Sequence, residues 1–590
     1  MHSSFKTIAL VAFGITGYSL FAFRETTPTQ TVQNRLRLQA DSFAMAVQDL
    51  KRIPVDATHT QQLHSAFIKM RLAYKKIEWA AEYFVPLTTR QVNGPPVPET
   101  ELNGQVIQPN GLQMIEEELF RRLSSTKKLK VLMAGLADNA VEYQAFFNHA
   151  DLQDWQILDA VKLEVFRIEA LGLNRFDDPL SRNCFNESVV ALQSLNQVIA
   201  NYPGGNKLGP LFLAAISYLK QPVSFDNFNR IVFLTKYANP LTGAITSLHN
   251  QLNLPDIHYN RLLNQGAETL FAPNAFNRNA YTASPADSAT TDKIMLGKKL
   301  FFDPRLSGTM ARSCSSCHQP DKAFTDGLTK NLDITGKKFI TRNTPTLINA
   351  ALQAAQFYDL RAASLEDQVR DVVQNKDEMH GDMQVSTQKL WQDTIYRKLF
   401  TIVFPARNRS SIDTLEVMNA LASYVRSLTA LNSRFDQYMQ GKREALTTNE
   451  VAGFNLFMGK ARCSTCHYLP LFNGTLPPRY MQLDAEVIGV PHTKTDKQID
   501  PDQGLYNLSP YSFNRHAFKT TTVRNTALTA PYMHNGVFKT LDEVIDFYNN
   551  GGGAGMGIKI NNQTLDASPL HLTAKEKKDL VAFIKSLDSK

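Results

Sequence analysis

The sequence predicts a mainly α-helical chain in which an N-terminal helical bundle is followed by two related C-terminal domains. Three observations carry this reading. Apolar residues recur at helical spacing through about residues 30–255, a stretch rich in Asn, Pro, Ala, Ser and Thr follows over 253–291, and an internal repeat fills the remainder. A chain of 590 residues is too long for one core, so several domains are expected.

In the bundle, Leu63, Phe67, Met70, Tyr74 and Ile77 recur at spacings of four and three, which places them on one helix face ending before Pro86. Residues 85–110 hold Pro86, Gly94, Pro95, Pro96, Pro98, Gly104 and Pro109, a composition that predicts a long loop. A helix then starts near Gly111, with further helical patterns near 155–171, 186–201, 208–220 and 224–238. Residues 256–290 lose this periodicity and read as a linker.

In the repeat, Gly297-Lys-Lys-Leu-Phe-Phe302 corresponds to Gly453-Phe-Asn-Leu-Phe-Met458. Near the end of each unit, Ala420-Leu-Ala-Ser-Tyr-Val-Arg-Ser-Leu428 corresponds to Asp579-Leu-Val-Ala-Phe-Ile-Lys-Ser-Leu587. Thr447-Thr-Asn-Glu450 and Thr573-Ala-Lys-Glu576 are capping-box patterns that open helices. Each unit also carries Cys-x-x-Cys-His, as Cys314-Ser-Ser-Cys317-His318 and Cys463-Ser-Thr-Cys466-His467. This pattern attaches a c-type haem: the thiols add to the haem vinyl groups and the His ligates iron. Zinc sites usually bring paired Cys-x-x-Cys motifs closer together and do not require a His after each. The expected cofactors are therefore two covalently bound haem c groups, with Cys314, Cys317, Cys463 and Cys466 as attachment residues and His318 and His467 as iron ligands. The fold class is mainly α, an N-terminal helical bundle followed by two cytochrome-c-like haem domains over 291–440 and 441–590.

The net charge of +8 is spread thinly and no Lys/Arg-rich run occurs, so no nucleic-acid partner is expected. Residues 1–24 place Lys6 before an apolar stretch, which reads as a secretory signal or as an N-terminal membrane anchor. Either way the remainder is exported, to the periplasm or its equivalent, with a membrane tether left open. Cys184 is left over and reads as an inert buried thiol.

Two short pieces of the bundle, Arg71-Leu-Ala-Tyr74-Lys-Lys-Ile-Glu78 and Gly111-Leu-Gln-Met-Ile-Glu116, resemble the imelysin-like family. Gln113 stands where that family's pattern has His, and Glu78 and Glu116 read as structural or solvated helix residues. Residues from about 285 to 590 closely resemble the bacterial di-haem cytochrome c peroxidase superfamily, including the di-haem enzymes of methylamine dehydrogenase maturation. The resemblance rests on Leu296-Gly-Lys-Lys-Leu-Phe-Phe-Asp-Pro-Arg-Leu-Ser307, both haem motifs, Arg342-Asn-Thr-Pro-Thr346, Gln356-Phe-Tyr-Asp-Leu-Arg361, Glu378-Met379, and the run from Val523 to Gly536.

That resemblance implies a peroxidatic first haem and an electron-transferring second haem. Glu378 matches the family's distal acid, which moves a proton between the two peroxide oxygens. The family's gating His after the first motif has no counterpart here, where Asn331-Leu-Asp-Ile-Thr-Gly-Lys-Lys338 stands, so the first haem is expected to be open when oxidised. Tyr548 falls where classical members supply a Met ligand to the second haem and maturation enzymes a Tyr; Met533 and Met556 are the alternatives. Tyr358 stands where the family usually has an inter-haem Trp. Asn343, Thr529 and Pro531 match interdomain calcium ligands, the last two through backbone carbonyls.

The expected function is a di-haem peroxidase that reduces hydrogen peroxide to water with electrons from a small cytochrome or similar donor. The alternatives are a peroxide-dependent oxidase of a protein or organic substrate, storing oxidising equivalents on both haems, and a non-catalytic electron-transfer or binding protein.

Overall fold

The structure is a computed structural model and describes residues 27–589 apart from 101–104, 122–124, 258 and 406–408. The signal or anchor expected at residues 1–24 lies outside the described residues. Among the described residues no helix is long and apolar enough to cross a membrane.

The N-terminal part is helical, as its periodicity predicts. Helices α1 (Pro28–Arg52), α2 (Thr60–Tyr74), α3 (Glu78–Phe84), α4 (Pro86–Asn93), α5 (Gly111–Phe120), α6 (Thr126–His149), α7 (Asp154–Arg167), α8 (Cys184–Ile199), α9 (Gly209–Leu219), α10 (Arg230–Phe233) and α11 (Asn239–Gln251) form it. Leu63, Phe67, Met70 and Tyr74 bury one face of α2, and Ile77 is buried in the turn beyond it. Residues 85–110 are not wholly loop. Pro86 occupies the first turn of α4, where its missing N–H costs nothing and its fixed φ suits the helix. A two-residue antiparallel ladder, β1 (Glu99–Thr100) with β2 (Val106–Ile107), follows. The α7 helix runs on into a π-helical turn, Ile168–Gly172. Such single turns widen the helix locally and often mark functional contacts.

The C-terminal part contains α12 (Thr291–Phe301), α13 (Leu365–Gln374), α14 (Met383–Gln392), α15 (Thr394–Val403), α16 (Thr414–Ser427), α17 (Arg434–Met439), α18 (Thr448–Met458), α19 (Leu541–Asn549), α20 (Gly552–Gly555) and α21 (Ala574–Ser586). The repeat becomes two helix pairs, α12 against α16 and α18 against α21. Both capping boxes read from the sequence open α18 and α21 as expected. A second short ladder pairs β3 (Ala485–Glu486) with β4 (Phe518–Lys519).

Burial divides the molecule differently from the sequence blocks. One apolar core lies wholly inside the first haem unit, between Leu296 and Val425. The other is continuous from the bundle into the second unit, joining Val32 and Phe43 to Phe454, Tyr468 and Phe583. The described residues of 256–290 carry no α-helix, yet Leu262, Leu263, Ala267, Leu270, Phe271 and Ala275 are buried in that shared core. This linker stretch is packed connecting structure, held by burial.

Candidate haem-binding sites and the junction between them

The first motif sits on a short 3-10 turn, Cys314–Ser316, that follows α12. His318 Nδ1 lies 3.0 Å from the carbonyl oxygen of Phe324. A carbonyl can only accept, so Nδ1 carries the hydrogen and Nε2 keeps its lone pair. Burial holds the imidazole below its usual value, hence neutral. Burial also raises the thiol of Cys314 to about 12 and that of Cys317 to about 11. Asn331 Nδ2 donates to Cys317 Sγ at 3.3 Å and to Asp326 Oδ2 at 2.9 Å.

Glu378 lies on the loop between α13 and α14. Two contacts fasten that loop to the turn preceding the motif: Gly308 N donates to Met379 O at 3.0 Å, and Ser307 Oγ to the same oxygen at 3.2 Å. A Cβ at Gly308 would meet the carbonyl oxygen of His380 at 1.9 Å, so glycine is what permits this approach. Asn375 Nδ2 donates to Glu378 Oε1 at 2.8 Å. Burial raises the Glu378 carboxyl, opposed by Arg361, Asn375 and Arg312. Its charge in turn opposes ionisation of Cys317, which places the carboxyl within electrostatic reach of the first motif. Sequence reasoning did not single out Arg312 or Asn375, because neither belongs to a recognisable pattern. His380 is exposed on the same loop.

The second motif occupies the corresponding 3-10 turn, Cys463–Thr465. His467 Nδ1 faces two carbonyl oxygens, Thr521 at 3.0 Å and Phe472 at 3.3 Å, so Nε2 again keeps the lone pair. Burial lowers this imidazole to about 4. Tyr548 projects from α19; burial raises its phenol, and Cys466, Cys463 and Glu486 add to the effect, so these groups cluster. Glu486, on β3, contacts the Cys466 thiol and Thr564, and burial raises its carboxyl. No sequence signal marked Glu486. The donor set in each motif fits a c-type haem: paired thiols on a tight turn and a neutral imidazole whose free nitrogen is fixed by the bond its other nitrogen makes.

Tyr358 lies at the junction. Its backbone oxygen accepts from Lys519 N on β4 at 2.7 Å, and its hydroxyl is 3.5 Å from Asn343 Oδ1. Burial raises its phenol, with Arg342 opposing. Because β4 pairs with β3, the Tyr358 segment is hydrogen-bonded to the ladder that holds Glu486 beside Cys466. Arg342 closes the junction, bonding Asp502 through two nitrogens at 2.6 and 3.0 Å and Asp359 at 2.6 Å. Asn343 N donates to His534 O at 2.7 Å, which brings Asn343 to the segment following Thr529 and Pro531. The Asn343 side chain also donates to Leu328 O at 2.8 Å. Among the described residues no group of three or more His, Cys, Asp and Glu could hold a metal ion.

In the bundle, Glu78 and Glu116 are buried in polar networks. Glu78 accepts from Lys75 at 2.7 Å and pairs with Arg167 at 3.0 Å, while Glu116 accepts from Ser181 N at 2.6 Å. Gln113 is buried beside them in sequence, and Cys184 is buried with its thiol raised by desolvation.

The chain is similar in sequence to several known proteins. The family described as di-haem cytochrome c peroxidase matches residues 291–444. Cytochrome-c peroxidase IdrP2 of Denitromonas iodatirespirans is 33% identical over 318 residues, 51% of this chain and 83% of the relative. The methylamine utilization protein MauG of Methylorubrum extorquens is 33% identical over 304 residues, 51% of this chain and 80% of the relative. Cytochrome c551 peroxidase of Pseudomonas aeruginosa is 29% identical over 360 residues, 60% of this chain and 90% of the relative. Among solved structures, a MauG-like protein associated with microbial copper homeostasis aligns with a TM-score of 0.46 at 31% identity, over 52% of this chain and 92% of that one. With two Cys-x-x-Cys-His turns in a helical repeat and relatives matched over most of their length, the chain belongs to the di-haem cytochrome c peroxidase family, whose members bind two c-type haems.

Proposed function

We propose that the protein reduces hydrogen peroxide to water at the first haem, with two electrons arriving singly through the second from a small cytochrome or similar donor. The observation that supports this most is the half-buried Glu378 carboxyl within electrostatic reach of the first motif, together with the absence of any His between His318 and His380. In this reading Cys314 and Cys317 hold one haem and Cys463 and Cys466 the other, while His318 and His467 offer Nε2 to iron. A bound haem supplies the iron that takes peroxide at the first site and passes electrons at the second. Glu378 accepts a proton from the near peroxide oxygen and returns it to the far one, which departs as water. Two electrons and two protons then balance one peroxide against two waters. The charge of Arg361 keeps the half-buried carboxyl able to ionise, and Asn375 fixes its direction.

Tyr548 is proposed as the sixth ligand of the second haem and Tyr358 as the relay residue. Tyr358 must release a proton to carry an electron hole, and its hydroxyl is oriented by a hydrogen bond to Asn343 Oδ1 at 3.5 Å. Residues 291–440 form the peroxidatic unit and 441–590 the electron-transfer unit. Export from the cytoplasm, suggested by residues 1–24, suits covalent haem attachment. A calcium ion at Asn343, Thr529 and Pro531 completes the junction in this reading.

A second reading is favoured by one observation, the clustering of a tyrosine with the second motif. An anionic phenolate favours higher iron oxidation states, which suits oxidation of a bound protein or organic substrate with peroxide as oxidant.

Steady-state oxidation of reduced cytochrome c by peroxide tests the first reading. Glu378→Gln is expected to lower turnover by roughly 10²–10⁴-fold with haem content unchanged. Peroxide consumption with no cytochrome oxidation would favour the second reading. Electron paramagnetic resonance of the oxidised protein is expected to show one high-spin and one low-spin haem, and two low-spin signals would sink the open first site.

A further inference from the structure

The two haem motifs are alike in sequence and in local turn, yet their surroundings differ. In the first, Ser315, the residue after the first cysteine, is only partly buried, and the polar side-chain contacts of Ser313, Ser315 and Ser316 stay inside the turn: Ser313 Oγ meets Ser315 Oγ at 2.8 Å and Ser313 N donates to Ser316 Oγ at 3.0 Å. In the second, the equivalent Ser464 is 0% exposed, and the N-terminal bundle packs against its turn.

The bundle's part of this contact is a turn over residues 173–176, just beyond the π-helical turn that ends α7. Asn174 is buried and uses its whole amide. Nδ2 donates to Ser464 O at 3.0 Å and to Ala170 O at 2.9 Å, while Oδ1 accepts from Phe176 N at 2.9 Å. Phe176 then meets Tyr468, the residue after His467, edge to face with ring centroids 5.7 Å apart. The turn therefore grips the motif on both sides of Cys466 and His467. Arg175, between the two gripping residues, takes a left-handed φ of 65° and lays its guanidinium 3.6 Å above the ring of Phe225.

A second contact fixes the turn itself. Arg230 Nε donates to Leu173 O at 3.0 Å, and its backbone N donates to Asn455 Oδ1 on α18 at 2.8 Å. A Cβ at Gly459, which ends α18, would lie 2.8 Å from Arg230 Nη1, so glycine admits the guanidinium there. These contacts join the bundle, the helix leading into the motif and the motif itself.

We propose that the N-terminal bundle holds and tunes the second haem site through residues 173–176, with Asn174 as the positioning residue. Fixing the Ser464 carbonyl fixes the rotation of the turn whose two cysteines bear the haem. The same turn sets where His467 stands relative to the Thr521 and Phe472 oxygens that orient its ring. Outer contacts of this kind typically change a metal site's affinity or activity 10–100-fold when removed. This inference rests on the reading of His467 as the ligand of a second haem.

The test uses the full-length holoprotein and compares Asn174→Asp and Asn174→Ala with Asn93→Ala. Asp keeps the acceptor for Phe176 N but sets an oxygen against the Ser464 carbonyl. Asn93 bonds Glu78 and Asp177 inside the bundle and serves as the purely structural control. Both Asn174 variants are expected to shift the low-spin resonance signal and the midpoint potential of the second haem, leave the first haem's signal in place, and slow reduction by an external donor about tenfold. Asn93→Ala is expected to lower thermal stability without moving either signal. An unchanged second-haem signal and potential in both Asn174 variants overturns the proposal, as does an equal shift in Asn93→Ala. Potential and resonance are read without peroxide, so a protein with no peroxide turnover would defeat the peroxidase reading while leaving this one decided on its own result.

Discussion

A Cβ placed on Gly297 would lie 1.8 Å from the carbonyl oxygen of Ala420, and one on Gly453 would lie 2.0 Å from that of Asp579. The two pairs are equivalent in the internal repeat, so each haem unit has the same backbone-to-backbone approach, of α12 to α16 in the first and of α18 to α21 in the second. Replacing either glycine by alanine forces the pair apart. We expect Gly297→Ala and Gly453→Ala each to cost about 1–3 kcal/mol or more. Thermal unfolding of the holoprotein checks this, and an unaltered transition would show that the helices separate freely.

The acid limb of the pH–activity profile should belong to Glu378. Its carboxyl must be ionised to accept the first proton, and burial raises it while Arg361 lowers it. Activity should therefore fall as pH drops through that raised value. Arg361→Ala should move the limb to higher pH, and an unmoved limb in this variant would assign it to another group.

Arg342 joins Asp359 of the first unit to Asp502 of the second, and is itself raised by these partners against desolvation. Arg342→Leu removes the cation that links the two carboxylates, leaving Asp359 only its bond from Arg361 and Asp502 without its guanidinium, at a cost of roughly 3 kcal/mol. The expected result is a lower thermal midpoint and slower electron transfer between the haems, measured by rapid mixing of the half-reduced protein.

Glu169 is wholly buried, neither of its oxygens has a hydrogen-bond partner, and burial alone raises it well above the usual carboxylate range. A group raised in the folded state contributes stability that is fully present below its unfolded value. That contribution is lost as pH rises through the folded one. Glu169→Gln, which mimics the neutral acid, should therefore gain stability relative to the parent as pH rises. The difference between variant and parent is the quantity to read, because lowered imidazoles such as His467 act in the opposite sense. A pH-independent difference in denaturation midpoint would show that Glu169 titrates normally.

Tyr548→Phe should change the low-spin signal of the second haem, and Tyr548→Met should raise its potential. If Tyr548→Phe leaves the signal unaltered, Met533 or Met556 becomes the candidate ligand.

Much of this architecture is legible in local sequence because the rules that produce it are local. Thr447 with Glu450 and Thr573 with Glu576 cap the helices they were expected to cap, since each box spans one turn. Pro86 misleads for an equally local reason: the same ring that breaks a helix interior begins one without cost. Residues 256–290 conceal their packing because their composition lacks periodicity, while burial needs only scattered apolar side chains such as Leu262 and Phe271.

By itself the sequence determined two haem motifs, the repeat that carries them and the helices that frame them, because spacing and capping act over a few residues. Only the tertiary structure decided how the two motifs differ. Asn174 reaches Ser464 across 290 positions of chain, and Glu378 comes to Cys317 because Gly308 lets a distant loop close on the motif. Contacts of that length follow from which apolar faces share a core, and no periodicity or spacing along the chain encodes them.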